Sequence, residues 1–238
     1  MFKKYIYSYI VLPAVLITGC MSSAVAEEVN LYTARKEHLM RPLIDIFQNE
    51  TGIKVNILTA KTKVLIKKIL DEGENSPADL LITVDAGNLN DAKLKNISQT
   101  INSKLLNQLV PENLRDVDGH WYGLSIRSRV IMYNPTAVNP EEIMKYENLA
   151  DDRLAGRVCI RSSSNIYNQS LLASLIYHNG EEAALNWAKG VVKNFSREPK
   201  GNDRGQMTAV VLGKCDVTIA NTYYLGKWIS SKKESEKE

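Results

Sequence analysis

Residues 29–84 alternate short apolar runs with helical periodicity, and that order constrains the fold more than any other feature of the chain. Residues 29–34 read as a strand, and residues 37–50 as a helix with Leu39, Leu43, Ile44 and Phe47 on one face, stopped by Thr51-Gly52. Residues 54–59 follow as a second strand, 62–72 as a helix carrying Val64, Leu65, Ile69 and Leu70, and 78–84 as a third, largely apolar strand. A helix between two strands carries the chain back to the start of the sheet. Successive strands then run the same way, and the order predicts a parallel sheet covered by helices on both faces. Helical spacing resumes over 88–109, and Pro111 closes that segment.

The pattern changes at Gly119-His120-Trp121-Tyr122-Gly123-Leu124, where a turn leads into an extended run over 125–133 that Asn134-Pro135 breaks. This is the expected crossing into a second lobe, giving a first α/β lobe over 27–124 and a second over 125–229. The second lobe repeats the alternation, with a helix at 140–146 and a strand at 157–161. A Ser/Asn-rich turn at 162–165 follows, then helices at 167–177, 181–192 and 203–212 and a strand at 215–220. Residues 230–238 are polar and charged and read as a solvated tail.

The chain begins as an exported protein does. Lys3 and Lys4 precede an apolar run, and Ala24-Val25-Ala26 is a small-x-small cleavage site, so residues 1–26 read as a signal peptide. Ile17-Thr18-Gly19-Cys20 competes with it, resembling the motif at which lipoproteins are cleaved and acylated on the cysteine. Either route places the chain outside the inner membrane, in the periplasm. Without Lys3 and Lys4 the formal charge of +3 falls to +1, which lacks the basic surplus of a nucleic-acid binder. At 44% hydrophobic and 24% charged the chain can bury a core, which excludes disorder, collagen and coiled coil. Cys159 and Cys215 remain as an even pair in an oxidising compartment. They are expected either as a disulfide, closing a loop worth about 4 kcal/mol in the chain-entropy model, or as two buried thiols.

Cys159 precedes Tyr167 by eight residues and Cys215 precedes Tyr223 by eight. If the cysteines pair, their strands are neighbours, and Tyr167, Tyr223 and Tyr224 leave one edge of one sheet, where open α/β sheets bind ligands. Three converging phenols suit a hard trivalent cation, because such an ion displaces the phenolic proton and three phenolates balance its charge. Oxygen donors without imidazole or thiolate select against zinc and copper(I), which leaves ferric iron. Three ligands leave an octahedral ion incomplete. Arg127 offers a fork for a bidentate oxyanion, and Ser162-Ser163-Ser164-Asn165 stands at a helix start, where free N–H groups favour negative charge. Carbonate, phosphate or citrate would serve, carbonate first among them.

These residues bring out a resemblance. The chain is similar to the bacterial periplasmic ferric-ion-binding proteins, the substrate-capturing subunits of iron ABC importers, which have the two-lobed type II periplasmic binding protein fold. The similarity is carried in order by Val29-Asn30-Leu31-Tyr32, Ser76-Pro77-Ala78-Asp79, Trp121-Tyr122-Gly123-Leu124, Arg127-Ser128-Arg129, Gly156-Arg157-Val158-Cys159, Tyr167-Asn168, Gly201-Asn202-Asp203-Arg204 and Asn221-Thr222-Tyr223-Tyr224. It implies that Tyr167, Tyr223 and Tyr224 are iron ligands and that Arg127 holds a synergistic anion. It places Asn221, Ser163 and Ser164 near that anion, and it implies an inner-membrane permease as partner and a monomer in solution. Two departures stand out. Lys36 and Glu37 occupy positions where many relatives carry a first-lobe histidine and tyrosine, so the first lobe is expected to supply no iron ligand, and His38 is out of register. The family also continues well beyond the double tyrosine, so the chain reads as C-terminally shortened.

Two other readings share the fold. One is a binding protein for another solute, an oxyanion or a polyamine; the other is an exported protein that no longer transports. Catalysis finds no support: Ser163 and Ser164 lie in no Gly-x-Ser-x-Gly frame, no phosphate-cradling glycine loop appears, and His38, His120 and His178 lack ligand spacing.

Overall fold

The computed structural model describes residues 27–231; the proposed signal peptide, Cys20 and the last seven residues of the tail lie outside them. The first sheet is built from β1 (Glu28–Thr33), β2 (Lys54–Thr59) and β3 (Leu80–Ile82) in the order β2-β1-β3, all parallel. β1 and β2 pair over their whole length, from Glu28 opposite Lys54 to Thr33 opposite Thr59. Helices α1 (Glu37–Thr51) and α2 (Thr62–Glu72) make the two crossovers. The core beneath is Tyr32, Leu65 and Ile69, all buried, with Leu58 and Leu81 packed against them. Tyr32 turns into this core and donates its hydroxyl to Glu72 at 3.2 Å.

The predicted strand 78–84 shortens at both ends for local reasons. Asp79 uses its carboxylate to accept from the Asn30 amide at 2.7 Å, while Asp85 has a left-handed φ of 77° and caps α3 (Ala86–Leu94), accepting from the Gly87 amide. The helical spacing over 88–109 is likewise two helices, α3 and α4 (Lys104–Leu109), because Asn96 takes a left-handed turn at φ 55° between them.

The second sheet contains β4 (Arg129–Tyr133), β5 (Val158–Cys159) and β6 (Val217–Asn221) in the order β4-β6-β5. β6 is parallel to β5 but antiparallel to β4, with Arg129 opposite Asn221 and Tyr133 opposite Val217. All five residues of β6 are buried, as expected of a central strand covered on both faces. Around it stand α5 (Ile166–Asn179), α6 (Glu181–Lys193), α7 (Asp203–Val211) and α8 (Thr222–Ile229). The core packs Leu149, Leu154, Val158, Leu171, Leu175, Val191, Val217 and Ile219 together. The helix expected over 140–146 is instead two 3₁₀ turns, Pro140–Ile143 and Tyr146–Ala150. Lys145 between them is extended, at φ −129° and ψ 157°, and gives its amide to the Asn148 side chain at 2.9 Å, so the first turn does not grow into an α-helix.

Cys159 and Cys215 form a disulfide with their Cα atoms 5.8 Å apart, tying β5 to the segment that enters β6. The two sheets meet where β3 gives way to α3. There Asp85 accepts a hydrogen bond from Ser170 on α5, and a side chain at Gly87 would meet Ile166.

Candidate functional site

Two backbone features assemble the site. Parallel β5 and β6 both end at the same edge of the second sheet, so α5 and α8 begin there side by side. Antiparallel β4 starts where β6 stops, and the Thr222 amide bonds the Ser128 carbonyl at 3.0 Å, which delivers Arg127 and Arg129 to that edge. A wholly parallel sheet would have sent these arginines to the opposite edge.

The tyrosines stand in the first turns of helices, Tyr167 in the one expected from 167 and the other two in α8, for which the sequence reading assigned no element. Tyr167 is the second residue of α5, whose cap Asn165 accepts from the Tyr167 amide at 3.0 Å. Tyr223 and Tyr224 are the second and third residues of α8. The amino-terminal ends of two helices, with their unpaired N–H groups and positive dipole ends, therefore flank the phenols.

The three hydroxyls come together. Arg127 Nη1 donates to Tyr167 Oη at 2.9 Å, Asn221 Nδ2 donates to Tyr223 Oη at 3.2 Å, and the Tyr223 hydroxyl interacts electrostatically with both Tyr167 and Tyr224. The Tyr223 and Tyr224 rings lie 4.3 Å apart between centroids. Tyr223 keeps 37% of its surface exposed, so the cluster opens to solvent. Arg127 and Asn221 thus join the phenols as the sequence pattern implies. Ser163 and Ser164 do not reach them through any hydrogen bond among the described residues: Ser164 is engaged with Ser162 in the turn before α5.

Three residues without an assigned role in the sequence support the cluster from behind. Arg129 and Arg161 both bind the fully buried Asp203, at 2.9 and 3.2 Å, and Arg129 also donates to Asn168 at 2.7 Å. The guanidinium carbons of Arg127, Arg129 and Arg161 stand 5.3, 5.8 and 5.5 Å from the centre of the Tyr167 ring. Three cations against one carboxylate leave a positive surplus around one phenol. The signal available in sequence was the Arg127/Arg129 spacing of two, which puts both arginines on one face of a strand.

The phenols differ in acidity. Burial would raise Tyr223, but hydrogen bonds from Tyr224, Asn221 and Tyr167 and the Arg127 charge outweigh it, bringing this hydroxyl below the ordinary phenol range. Tyr167 is pushed up by burial and by its bond to Tyr223, against the pull of Arg127. Tyr224 is raised too, first by burial and then by donating to Tyr223. Arg127 is held more firmly protonated: its burial is outweighed by Tyr167 and Tyr223. Tyr223 is therefore the first of the three to ionise, with its neighbours as donors around the resulting oxyanion. Among the described residues no group of three His, Cys, Asp or Glu side chains is placed to hold a metal ion.

Comparison with known proteins gives this geometry a context. Residues 75–235 match the family model described as bacterial extracellular solute-binding protein. The chain is 51% identical over 211 residues to iron uptake protein A1 of Synechocystis, covering 89% of this chain and 59% of that protein. It is 29% identical over 210 residues to the Fe(3+)-binding periplasmic protein of Serratia marcescens. Among solved structures, Trichodesmium IdiA (FutA) in complex with iron and citrate ligands superposes with a TM-score of 0.84 at 48% identity, covering 88% of this chain and 66% of that one. The ferric binding protein of Campylobacter jejuni superposes at 0.80 with 39% identity, over 87% and 66%. The chain spans about three fifths of the length of the curated relatives it matches. The resemblance read from the sequence thus holds, as does the α/β periplasmic-binding-protein fold, and the family is one of solute carriers and not of enzymes. With a family model matched over most of its length and ferric-binding relatives in both comparisons, this chain belongs to the bacterial extracellular solute-binding proteins.

Proposed function

We propose that this chain captures ferric iron outside the inner membrane, through the phenolates of Tyr167, Tyr223 and Tyr224 and an oxyanion on Arg127, and hands it to an ABC importer. One observation carries the reading: three phenols gathered at one sheet edge around Tyr223, with the Tyr167 hydroxyl 2.9 Å from the Arg127 guanidinium and the Tyr223 hydroxyl 3.2 Å from the Asn221 amide. Iron enters as cargo. Tyr223 ionises first, and arrival of the cation displaces the protons of Tyr167 and Tyr224, its two neighbours in the cluster. Arg127 is then freed from a neutral phenol to pair with the anion, for which carbonate or citrate has the right planar carboxylate geometry. The names of the Synechocystis, Serratia and Campylobacter relatives, and the iron and citrate of the Trichodesmium complex, support iron as the solute.

In this reading residues 27–124 and 125–229 are two lobes that close on the ion, the chain works as a monomer, and its export depends on residues 1–26. Phenolate-to-iron charge transfer absorbs visible light, so titrating the purified chain with ferric citrate is expected to give a coloured, saturable complex with a raised melting temperature. Tyr223→Phe is expected to abolish most of the band while leaving the melting temperature of the iron-free protein nearly unchanged. A wild-type protein that stays colourless and melts at the same temperature with and without iron would overturn the proposal.

A further inference from the structure

The first sheet supplies no phenol or imidazole to this cluster, yet its carboxyl edge is far from neutral. β1, β2 and β3 are parallel, so all three exit at one edge, and the residues that follow β1 and β2 include Arg35, Lys36, Lys61 and Lys63. None of these four cations makes an ion pair among the described residues. Of the acids nearby, Glu37 pairs with Arg41, while Asp85 accepts from the neutral Ser170 hydroxyl and keeps its charge against these four cations. This edge packs against α5, the helix that carries Tyr167. Asp85, at the exit of β3, touches α5 at Ser170, one turn beyond Tyr167, and an open groove of about 560 Å³ is lined by Lys63, Gly87 and Asn88 on one side and Ile166 and Gln169 on the other. Around Tyr167 on the same helix stand Arg127, Arg129 and Arg161, of which the last two share the buried Asp203.

A cleft with a surplus of positive charge on both sides, Arg35 and the lysines on one and three arginines against one aspartate on the other, repels a bare trivalent ion and attracts a polyanion. We infer that the cargo enters as an anionic ferric polycarboxylate, a tricarboxylate of the citrate class, with Lys36, Lys61 and Lys63 of the first lobe binding the carboxylates that do not reach the metal. This rests on the proposed role of the three tyrosines as iron ligands. It gives the first lobe a task other than coordination: it recognises the chelate and the second lobe grips the metal.

The test is a pair of loading reactions on the full chain and on the triple variant Lys36→Glu/Lys61→Glu/Lys63→Glu, read by the visible band. In one, iron is supplied as ferric citrate. In the other, ferrous sulfate is oxidised by air in bicarbonate, so that carbonate is the only chelating anion. Affinities come from competition with acetohydroxamate. The variant is expected to bind ferric citrate on the order of tenfold more weakly, with a flatter dependence on added NaCl, while carbonate loading is unchanged or tighter. The neutral variant Lys36→Gln/Lys61→Gln/Lys63→Gln should fall between, and all three residues are solvent-facing, so melting temperatures should agree within a few degrees. Equal affinities of parent and variant for ferric citrate would overturn the inference, as would an equal loss from both iron sources. If the parent shows no band from either source, the tyrosine site itself is refuted and the inference goes with it. A parent coloured by both sources keeps that site standing whatever the lysines do.

Discussion

Behind Tyr167, a single buried carboxylate holds two guanidinium groups, and the balance is uneven by design. Asp203 is fully buried and takes Arg129 on one oxygen and Arg161 on the other. Asp203→Asn removes the only counter-charge of two nearly buried cations, which ordinarily costs about 3–5 kcal/mol, so a drop of that order in urea-unfolding free energy is expected. A loss below about 1 kcal/mol would mean that water already screens the pair. At this scale the sequence was legible where chemistry announces itself: a tyrosine doublet, a lone arginine ahead of a strand, two cysteines. It was silent on Asp203, because an aspartate after Asn202 at a helix start reads equally well as a surface cap, and only the fold turns it inward.

Among the elements, helix α3 is tethered at its far end by Lys93, which bridges Asp116 at 2.8 Å and Asp118 at 2.7 Å. Burial would push the Asp116 carboxyl up, but Lys93 and the His120 and Asp118 amides outweigh it and bring it below the usual carboxylate range. A depressed carboxyl contributes stability above its unfolded value of 3.8, lost as pH falls through the lower folded value. Asp116→Asn is therefore expected to melt below the parent at pH 7 and to converge with it in strong acid; a constant gap at all pH values would contradict this. Cys159–Cys215 is a second tie between elements, and reducing it is expected to cost about 4 kcal/mol, measured as the difference in unfolding free energy with and without dithiothreitol. β2 and α2 were readable to the residue, since their apolar positions repeat every two and every three to four residues and a turn bounds each. The break inside 88–109 was not, because helical spacing continues across Asn96 and a single left-handed residue leaves no trace in periodicity.

For the molecule as a whole, the contact between the sheets is the point of leverage. An added side chain at Gly87 would meet Ile166 Cδ1 at 2.9 Å and Ser170 Oγ at 3.2 Å, and the backbone there is not left-handed, so a large residue is a wedge between lobes and not a folding defect. Gly87→Phe is expected to enlarge the radius of gyration in small-angle scattering and to speed iron loss, with the circular dichroism unchanged; an unaltered radius would place the pivot elsewhere. The two sheets and the crossing between them were legible, because alternation of short apolar runs with helices leaves few topologies. The direction of β4 was not: an extended run looks the same whichever way its neighbour points, and that direction brings the arginines to the phenols. The sheet order carries one more consequence. β6, the middle strand of the second sheet, also comes last of its three strands in chain order, so β4 has no partner in this sheet until residue 217 arrives. A nascent chain that has not reached this strand holds Arg127 ahead of an unpaired β4 and Tyr167 on α5, apart from the two other phenols. The proposed metal site is thereby deferred until residues 221–224 emerge, and the surroundings at that moment decide which ion it meets first.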